Sequence, residues 1–173
     1  MMFSVKVFYM NRFRVFLLIA FILPFAHQSV AQSLPYQTLL KGLYDSSFPV
    51  VMPAQVTNLS NYQVLDAREK EEYEVSHLQN ATWVGHETFN LKSVAKLDKK
   101  KPVLIYCTVG ARSEKIGKIL QKEGFTHVYN LYGGILHWVN EGRPVFANGK
   151  PTQKVHTYSK PWGIWLNKGE KVY

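Results

Sequence analysis

Residues 102–114, PVLIYCTVGARSE, decide how this chain can fold. The opening run is apolar and predicts a buried strand, whereas the polar, glycine-containing second half predicts a loop. A helix over residues 113–123 is expected next, because Ile116 and Leu120 recur on one face of it. Gly124 then supplies a stop signal for that helix.

Cys107, the one cysteine of the 173 residues, falls where this strand becomes the loop. A single thiol cannot form an internal disulfide, so it is either a small buried apolar residue or a reactive group. Its position favours the reactive group, because backbone N–H groups and a helix N-terminus stabilise a thiolate. Arg112 follows five residues later and brings a permanent cation with a planar set of donors, which suits an anionic ligand.

Strands and helices alternate on both sides of this stretch. Further strands are predicted over 62–67, 80–85 and 126–131, stronger helices over 69–75 and 88–97, and two weak helices over 35–44 and 53–59. This alternation predicts an α/β fold, an open parallel sheet with helices on both faces. Ligands of such sheets bind beyond the carboxyl ends of the strands, and Cys107 lies at one of these ends.

The amino terminus has the pattern of a secretory signal peptide over residues 1–31. A basic start that contains Arg12 and Arg14 precedes an apolar run of 11 residues over 15–25. A membrane-spanning helix needs about 20 residues, so the run is too short to span a bilayer. We therefore predict cleavage after Ala31 and an exported protein, periplasmic or secreted, with no stable membrane span; an uncleaved anchor is the alternative.

Removal of that segment would lower the formal charge from +9 to +6. The basic residues are spread along the chain, with 99–101 as the one tight cluster, so no nucleic-acid site is predicted. The last stretch, 145–173, carries several aromatic residues and predicts an extension that packs on the domain. The predicted organisation is a signal peptide (1–31), a lead-in helix and loop (32–52), the main domain (53–144) and the C-terminal extension (145–173).

Four segments in order resemble the rhodanese-like domain family over residues 53–144. They are VLDARE at 64–69 with Glu72 and Tyr73, His77 with Ala81, CTVGARS at 107–113, and LYGGILHW at 131–138. The resemblance implies a single-domain sulfurtransferase, in which Cys107 receives a sulfane sulfur as a persulfide and passes it to a nucleophilic acceptor. The implied partners are a small donor such as thiosulfate and a small acceptor or a protein thiol, with no cofactor.

The resemblance also places the donor-binding groups on the loop, and loop chemistry is consistent with this, because backbone N–H groups can hold the outer sulfur of a persulfide. The expected binding residues are Thr108, Val109, Gly110, Ala111, Arg112 and Ser113. Arg112 would bind anionic donor or product groups, or alternatively it ties the loop to a carboxylate. Ser113 is expected to be the helix N-cap.

Loop length separates sulfur chemistry from phosphate chemistry. Phosphatases of related folds place five residues between cysteine and arginine, whereas four residues separate Cys107 from Arg112 here. The shorter loop favours a sulfur-sized ligand over a tetrahedral phosphate or arsenate.

Asp66, Arg68 and His77 are expected to support the site rather than to react. Asp66 and Arg68 would form a hydrogen-bonded pair that fixes the loops, and His77 would be held by backbone partners. No spacing among the six histidines is typical of a metal site. Two further hypotheses remain open for the chain as a whole: a non-enzymatic binding module of the same fold, and an envelope thiol-redox module.

Overall fold

The computed structural model describes residues 33–173. The predicted signal peptide, residues 1–31, lies outside the described residues and stays a prediction. Over the range 33–173, no helix combines the length and apolar character needed to span a bilayer.

Five parallel strands form the central sheet. They are β1 (Val50–Val51), β2 (Gln63–Asp66), β3 (Thr82–Trp83), β4 (Val103–Tyr106) and β5 (Val128–Leu131), in the spatial order β1-β5-β4-β2-β3. The central strand β4 is buried along its whole length, as its apolar sequence predicted. The carboxyl end of β4 therefore lies in the middle of one sheet edge, and Cys107 follows it directly.

Helices cover both faces of this sheet, which confirms the predicted fold class. The main helices are α1 (Leu34–Leu43), α2 (Lys70–Val75), α3 (Ala111–Lys122) and α4 (Gly134–Asn140). Leu104 of β4 packs in one core with residues of α1 and α4, and Ile105 packs in a second core with residues of α3. Neighbouring residues of a strand point to opposite faces, so β4 supplies both cores.

Two predicted helices differ from the structure. The segment 88–97 forms only a 3₁₀ turn, Leu91–Val94, because Asn90 caps a short turn and Val94 alone of these four is buried. The segment 53–59 likewise gives two 3₁₀ turns, Pro53–Gln55 and Leu59–Asn61. A turn that buries one side chain lacks the apolar face that stabilises a longer helix.

The C-terminal extension adds two small sheets and a short helix. A hairpin joins β6 (Val145–Ala147) to β7 (Lys150–Thr152), and β8 (Lys154–His156) pairs in parallel with β9 (Glu170–Val172) around α5 (Lys160–Gly163). Val155 and Leu166 of this extension are buried in the core that contains α1 and α4.

Gly134 at the start of α4 is the tightest backbone junction between this core and the Cys107 loop. Its φ of +57° favours glycine, and a Cβ there would collide with the carbonyl oxygens of Cys107 and Thr108. Neither obstacle is a flexible side chain, so the backbone itself would have to move.

We predict that Gly134→Ala destabilises the protein far more than Gly149→Ala, which serves as the matched control. Gly149 also has a positive φ, +73°, but a Cβ there meets nothing within 4 Å. The control should cost about 1–2 kcal/mol for the left-handed backbone, and Gly134→Ala about 1–3 kcal/mol more for the collision. Urea denaturation measures both losses, and equal losses would contradict the proposed junction.

Candidate active site

Cys107 is buried, with 1% of its surface exposed, at the carboxyl end of β4. The N–H of Gly110 donates a hydrogen bond to its Sγ at 3.1 Å. Gly110 adopts a φ of +109°, a left-handed conformation that turns the chain back over the sulfur. The sequence predicts a ring of amide donors; within the described residues, this amide supplies the hydrogen bond to the unmodified thiol.

The carbonyl groups of the loop are bound by its surroundings. The oxygens of Cys107 and Thr108 accept hydrogen bonds from the N–H groups of Ile135 (2.9 Å) and Leu136 (3.3 Å), in the first turn of α4. Gly134 lets this helix approach so closely, because a Cβ there would collide with both carbonyl oxygens. The first two carbonyls of the loop are thus fixed by α4.

The next two carbonyls are fixed by side chains from elsewhere in the chain. The Tyr44 hydroxyl donates to Val109 O and accepts from Gly133 N–H at 2.8 Å. The Asn130 amide donates to Gly110 O at 2.9 Å. Four successive carbonyls therefore point away from the centre of the loop, and this orientation leaves the N–H of Gly110 free to face the sulfur.

Arg112 is tied to a carboxylate, which is the second of the two roles expected for it. Its guanidinium makes a two-pronged contact with Glu72 at 2.7 and 2.8 Å, donates to Thr108 Oγ1 at 2.8 Å and lies 3.4 Å from Glu69. Burial would lower the pKa of Arg112, but the bond to Glu72 outweighs it and raises that pKa above its usual value. Arg112 holds the loop against α2.

Ser113 is not the helix N-cap, so that prediction is wrong. The helix begins at Ala111 with Gly110 as N-cap, and Ser113 is a buried residue of its first turn. Its hydroxyl donates to Asn130 Oδ1 at 2.7 Å. Sequence reasoning missed Asn130, although a polar side chain in an apolar strand is a signal for a buried hydrogen-bond partner.

Asp66 and Arg68 form the expected structural pair. Both are fully buried, with Arg68 Nη2 lying 2.6 Å from Asp66 Oδ2 and donating to Ser76 O at 2.6 Å. Burial opposes the charge on Arg68, but Asp66 overcomes it and raises the pKa of the guanidinium. Arg68 Nη1 is buried without a hydrogen-bond partner, so the pair satisfies Arg68 only in part.

His77 is held by backbone partners and by an aromatic ring. Its Nδ1 lies 2.9 Å from Leu78 O, its ring stacks on Tyr73 with centroids 4.3 Å apart, and its backbone pairs with Phe146. His77 does not line the cavity beside the loop. Within residues 33–173, no three His, Cys, Asp or Glu side chains cluster so as to hold a metal ion.

A cavity of about 180 Å³ opens beside the loop. Four of its lining residues belong to the loop, and three come from the flanking segments: Leu43 from α1, and Tyr158 and Trp162 from the C-terminal extension. The sequence analysis predicted that the extension packs on the domain, but it did not place Leu43, Tyr158 or Trp162 at the site. The concentration of aromatic residues in the extension was the available signal.

The family model of the rhodanese-like domain matches residues 53–141. Similar curated proteins include the tRNA uridine(34) hydroxylases of Buchnera aphidicola, 39% identical over 95 residues (50% of this chain, 29% of that protein), and of Hamiltonella defensa, 38% identical over 113 residues (62% and 30%). The chain thus spans about a third of the length of these relatives.

Two solved structures share the fold. One is a protein of Bacillus halodurans, 25% identical with a TM-score of 0.53, covering 65% of this chain and 84% of that one. The other is a thiosulfate sulfurtransferase of Pseudomonas aeruginosa, 20% identical with a TM-score of 0.54, covering 67% of this chain and 23% of that one. At 20% identity this second likeness shows the fold alone.

The contribution of the Glu72–Arg112 ion pair to the stability of the folded protein should depend on pH. Burial alone would raise the pKa of Glu72, but the hydrogen bond from Arg112 outweighs it and lowers that pKa. A carboxylate whose pKa is lower in the folded state stabilises the protein above its unfolded pKa of about 4.3, and the contribution disappears as the pH falls through the folded value.

We expect Glu72→Gln to cost about 3 kcal/mol at pH 7, since it breaks a buried ion pair. The difference from the wild type should shrink as the pH falls below about 4. Urea denaturation between about pH 3 and about pH 7, a range over which Glu72 changes protonation, measures the difference in the free energy of unfolding. Glu71→Gln, an exposed change on the same helix, is the control and should leave the stability profile unaltered.

Proposed function

The chain belongs to the rhodanese-like domain family, and from this premise we propose that it is a sulfurtransferase that carries sulfane sulfur on Cys107. The observation that carries the proposal is the amide of Gly110 directed at the sulfur of the one cysteine, at the carboxyl end of the central strand. Backbone donors stabilise a negative charge on sulfur and need no side-chain base.

The proposed reaction has two steps. The Cys107 thiolate attacks the outer sulfur of a donor such as thiosulfate; the new S–S bond forms on Cys107, the S–S bond of the donor breaks, and its electron pair leaves with sulfite. An acceptor nucleophile such as cyanide then attacks the outer sulfur of the persulfide, and the bonding pair returns to Cys107 as thiolate. No electron is gained or lost overall by the protein.

The loop supports sulfur chemistry for a geometric reason. Four residues separate Cys107 from Arg112, and the Arg112 guanidinium is turned to Glu72. A phosphatase would need a wider loop and an arginine free to bind the phosphate oxygens. We infer that Arg112 positions the loop, and that the amides of residues 108–112 are the groups that bind the transferred sulfur.

Two alternatives make different use of Cys107. A non-enzymatic module of this fold would not depend on the thiol, whereas a redox module would form mixed disulfides with a partner, because the sequence has no second cysteine to resolve them. The hydroxylase activity named for the relatives belongs to proteins about three times the length of the matched region, and we do not extend it to this chain.

We predict that incubation with thiosulfate adds one sulfur atom to the protein and that cyanide removes it as thiocyanate. Cys107→Ser should abolish both events, because a hydroxyl does not form the persulfide. Intact-mass spectrometry measures the addition, and colorimetry measures thiocyanate. Arg112→Lys should keep the mass gain but slow it about tenfold or more, because a lysine cannot make the two-pronged contact with Glu72.

The outcomes separate the hypotheses. A protein that gains no sulfur, under conditions in which a known sulfurtransferase gains it, is not a sulfurtransferase. If Cys107→Ser retains full function in cells, the binding module is favoured, and if Cys107 is recovered from cells in a mixed disulfide, the redox module is favoured.

We further propose that the protein works outside the cytoplasm. The support is the sequence pattern of residues 1–31, a basic start followed by a short apolar run and small residues. Export would place the thiol in an oxidising compartment, where the burial of Cys107 shields the sulfur from random disulfide exchange.

A fusion of residues 1–45 to bacterial alkaline phosphatase tests this export, because that enzyme is active only after it leaves the cytoplasm. We expect high phosphatase activity and an amino terminus at Gln32 in the released product. The control fusion begins at Gln32 and should be inactive. Equal activities from the two fusions would overturn the proposal of a signal peptide.

A further inference from the structure

We propose that the two segments flanking the family-matched residues select an organic sulfur donor, an anion of single charge with an aromatic group, over inorganic thiosulfate. The inference rests on the proposed function and names its substrate class. It comes from three features of the cavity beside the Cys107 loop: where its walls originate, how large and apolar it is, and how its one charged side chain is neutralised.

The outer wall of the cavity comes from outside the residues that match the family. Leu43 precedes residue 53, and Tyr158 and Trp162 follow residue 141. The two segments also contact each other, since the rings of Tyr36 and Trp165 stack with centroids 5.0 Å apart and planes 24° apart. The flanking segments therefore form one joined wall over the loop.

The cavity has the size and lining of a site for an aromatic ring. Its volume is about 180 Å³, and a cavity of about 150 Å³ lined by apolar side chains holds a benzene molecule. Leu43, Val109 and Trp162 give it apolar walls. An inorganic oxyanion would leave these walls without a partner and would lose its own water on entering.

The charge at the cavity also disfavours a doubly charged donor. Arg112 is the one charged residue of the lining, and its guanidinium already contacts the carboxylates of Glu72 and Glu69. Its face lies 5.0 Å from the centre of the Tyr158 ring, so the ring covers that side of the cation. A dianion such as thiosulfate would meet one cation that is already balanced by two anions, whereas a donor of single charge meets less repulsion.

The transfer from such a donor balances as the thiosulfate reaction does. With benzenethiosulfonate, the Cys107 thiolate attacks the terminal sulfur and forms the persulfide bond. The bond between the sulfonyl sulfur and the terminal sulfur breaks, and benzenesulfinate leaves with the electron pair. Both sides carry two negative charges, and no oxidant or reductant is needed.

The test compares benzenethiosulfonate with methanethiosulfonate. The two donors have the same charge and the same thiosulfonate group, and they differ only in that one carries a phenyl group and the other a methyl group. We expect kcat/KM with cyanide as acceptor to be about tenfold or more higher for the phenyl donor. Trp162→Ala should reduce this preference toward one, because it removes the wall of the cavity. Trp162→Phe should retain most of it and controls for loss of the fold.

Two further variants complete the design. Ile164→Ala, on an exposed residue two positions from Trp162, should leave the donor preference unchanged. Glu69→Gln removes one of the two carboxylates beside Arg112 and should raise kcat/KM for thiosulfate relative to the phenyl donor severalfold. If Glu69→Gln leaves the ratio of the two kcat/KM values unchanged, the role assigned to charge is contradicted.

The failure of this inference is distinguishable from failure of the proposed function. If both thiosulfonates add sulfur to Cys107 at equal rates and Trp162→Ala changes nothing, the selection is refuted and the sulfurtransferase stands. If no donor adds sulfur to Cys107, the proposed function itself is refuted.

Discussion

The backbone of the Cys107 loop is constrained by the need to satisfy its carbonyl groups away from water. Buried peptide oxygens without partners are costly, and here four in succession are bound: by Ile135 and Leu136, by the Tyr44 hydroxyl and by the Asn130 amide. With these oxygens bound on the outer side, the N–H of Gly110 faces the sulfur of Cys107. The hydrogen bonds made on the outer side of the loop thus hold the backbone in the conformation that directs this amide at the sulfur.

The same constraint explains the side chains that surround the loop. Arg112 would be a natural ligand for an anionic donor, but its contact with Glu72 and Thr108 uses it to connect the loop to α2. Gly134 is required where α4 approaches the loop carbonyls, and Ser113 with Asn130 fixes the start of α3. In the proposed sulfurtransferase, the groups left to bind a donor are the backbone amides and the residues that form the outer wall of the cavity.

That outer wall is where this chain adds to the family pattern. The family-matched residues supply the sheet, the loop and its supports, whereas α1 and the C-terminal extension supply Leu43, Tyr158 and Trp162. The flanking segments are therefore part of the candidate site rather than independent appendages, because their side chains line the cavity beside the Cys107 loop.

Local apolar periodicity and the positions of glycine were sufficient to predict the parallel α/β fold, the strand–loop–helix at residues 102–123 and the placement of Cys107. The sequence also indicated the pairing of Asp66 with Arg68, which are neighbours in the chain. Other contacts became visible only in the folded chain: Arg112 binds Glu72, Ser113 faces Asn130, and Tyr44 and Tyr158 reach the loop. The hydrogen bonds among these contacts join residues that lie between 17 positions (Ser113–Asn130) and 65 positions (Tyr44–Val109) apart in the sequence. A local sequence pattern carries no information about which distant segments the sheet brings together.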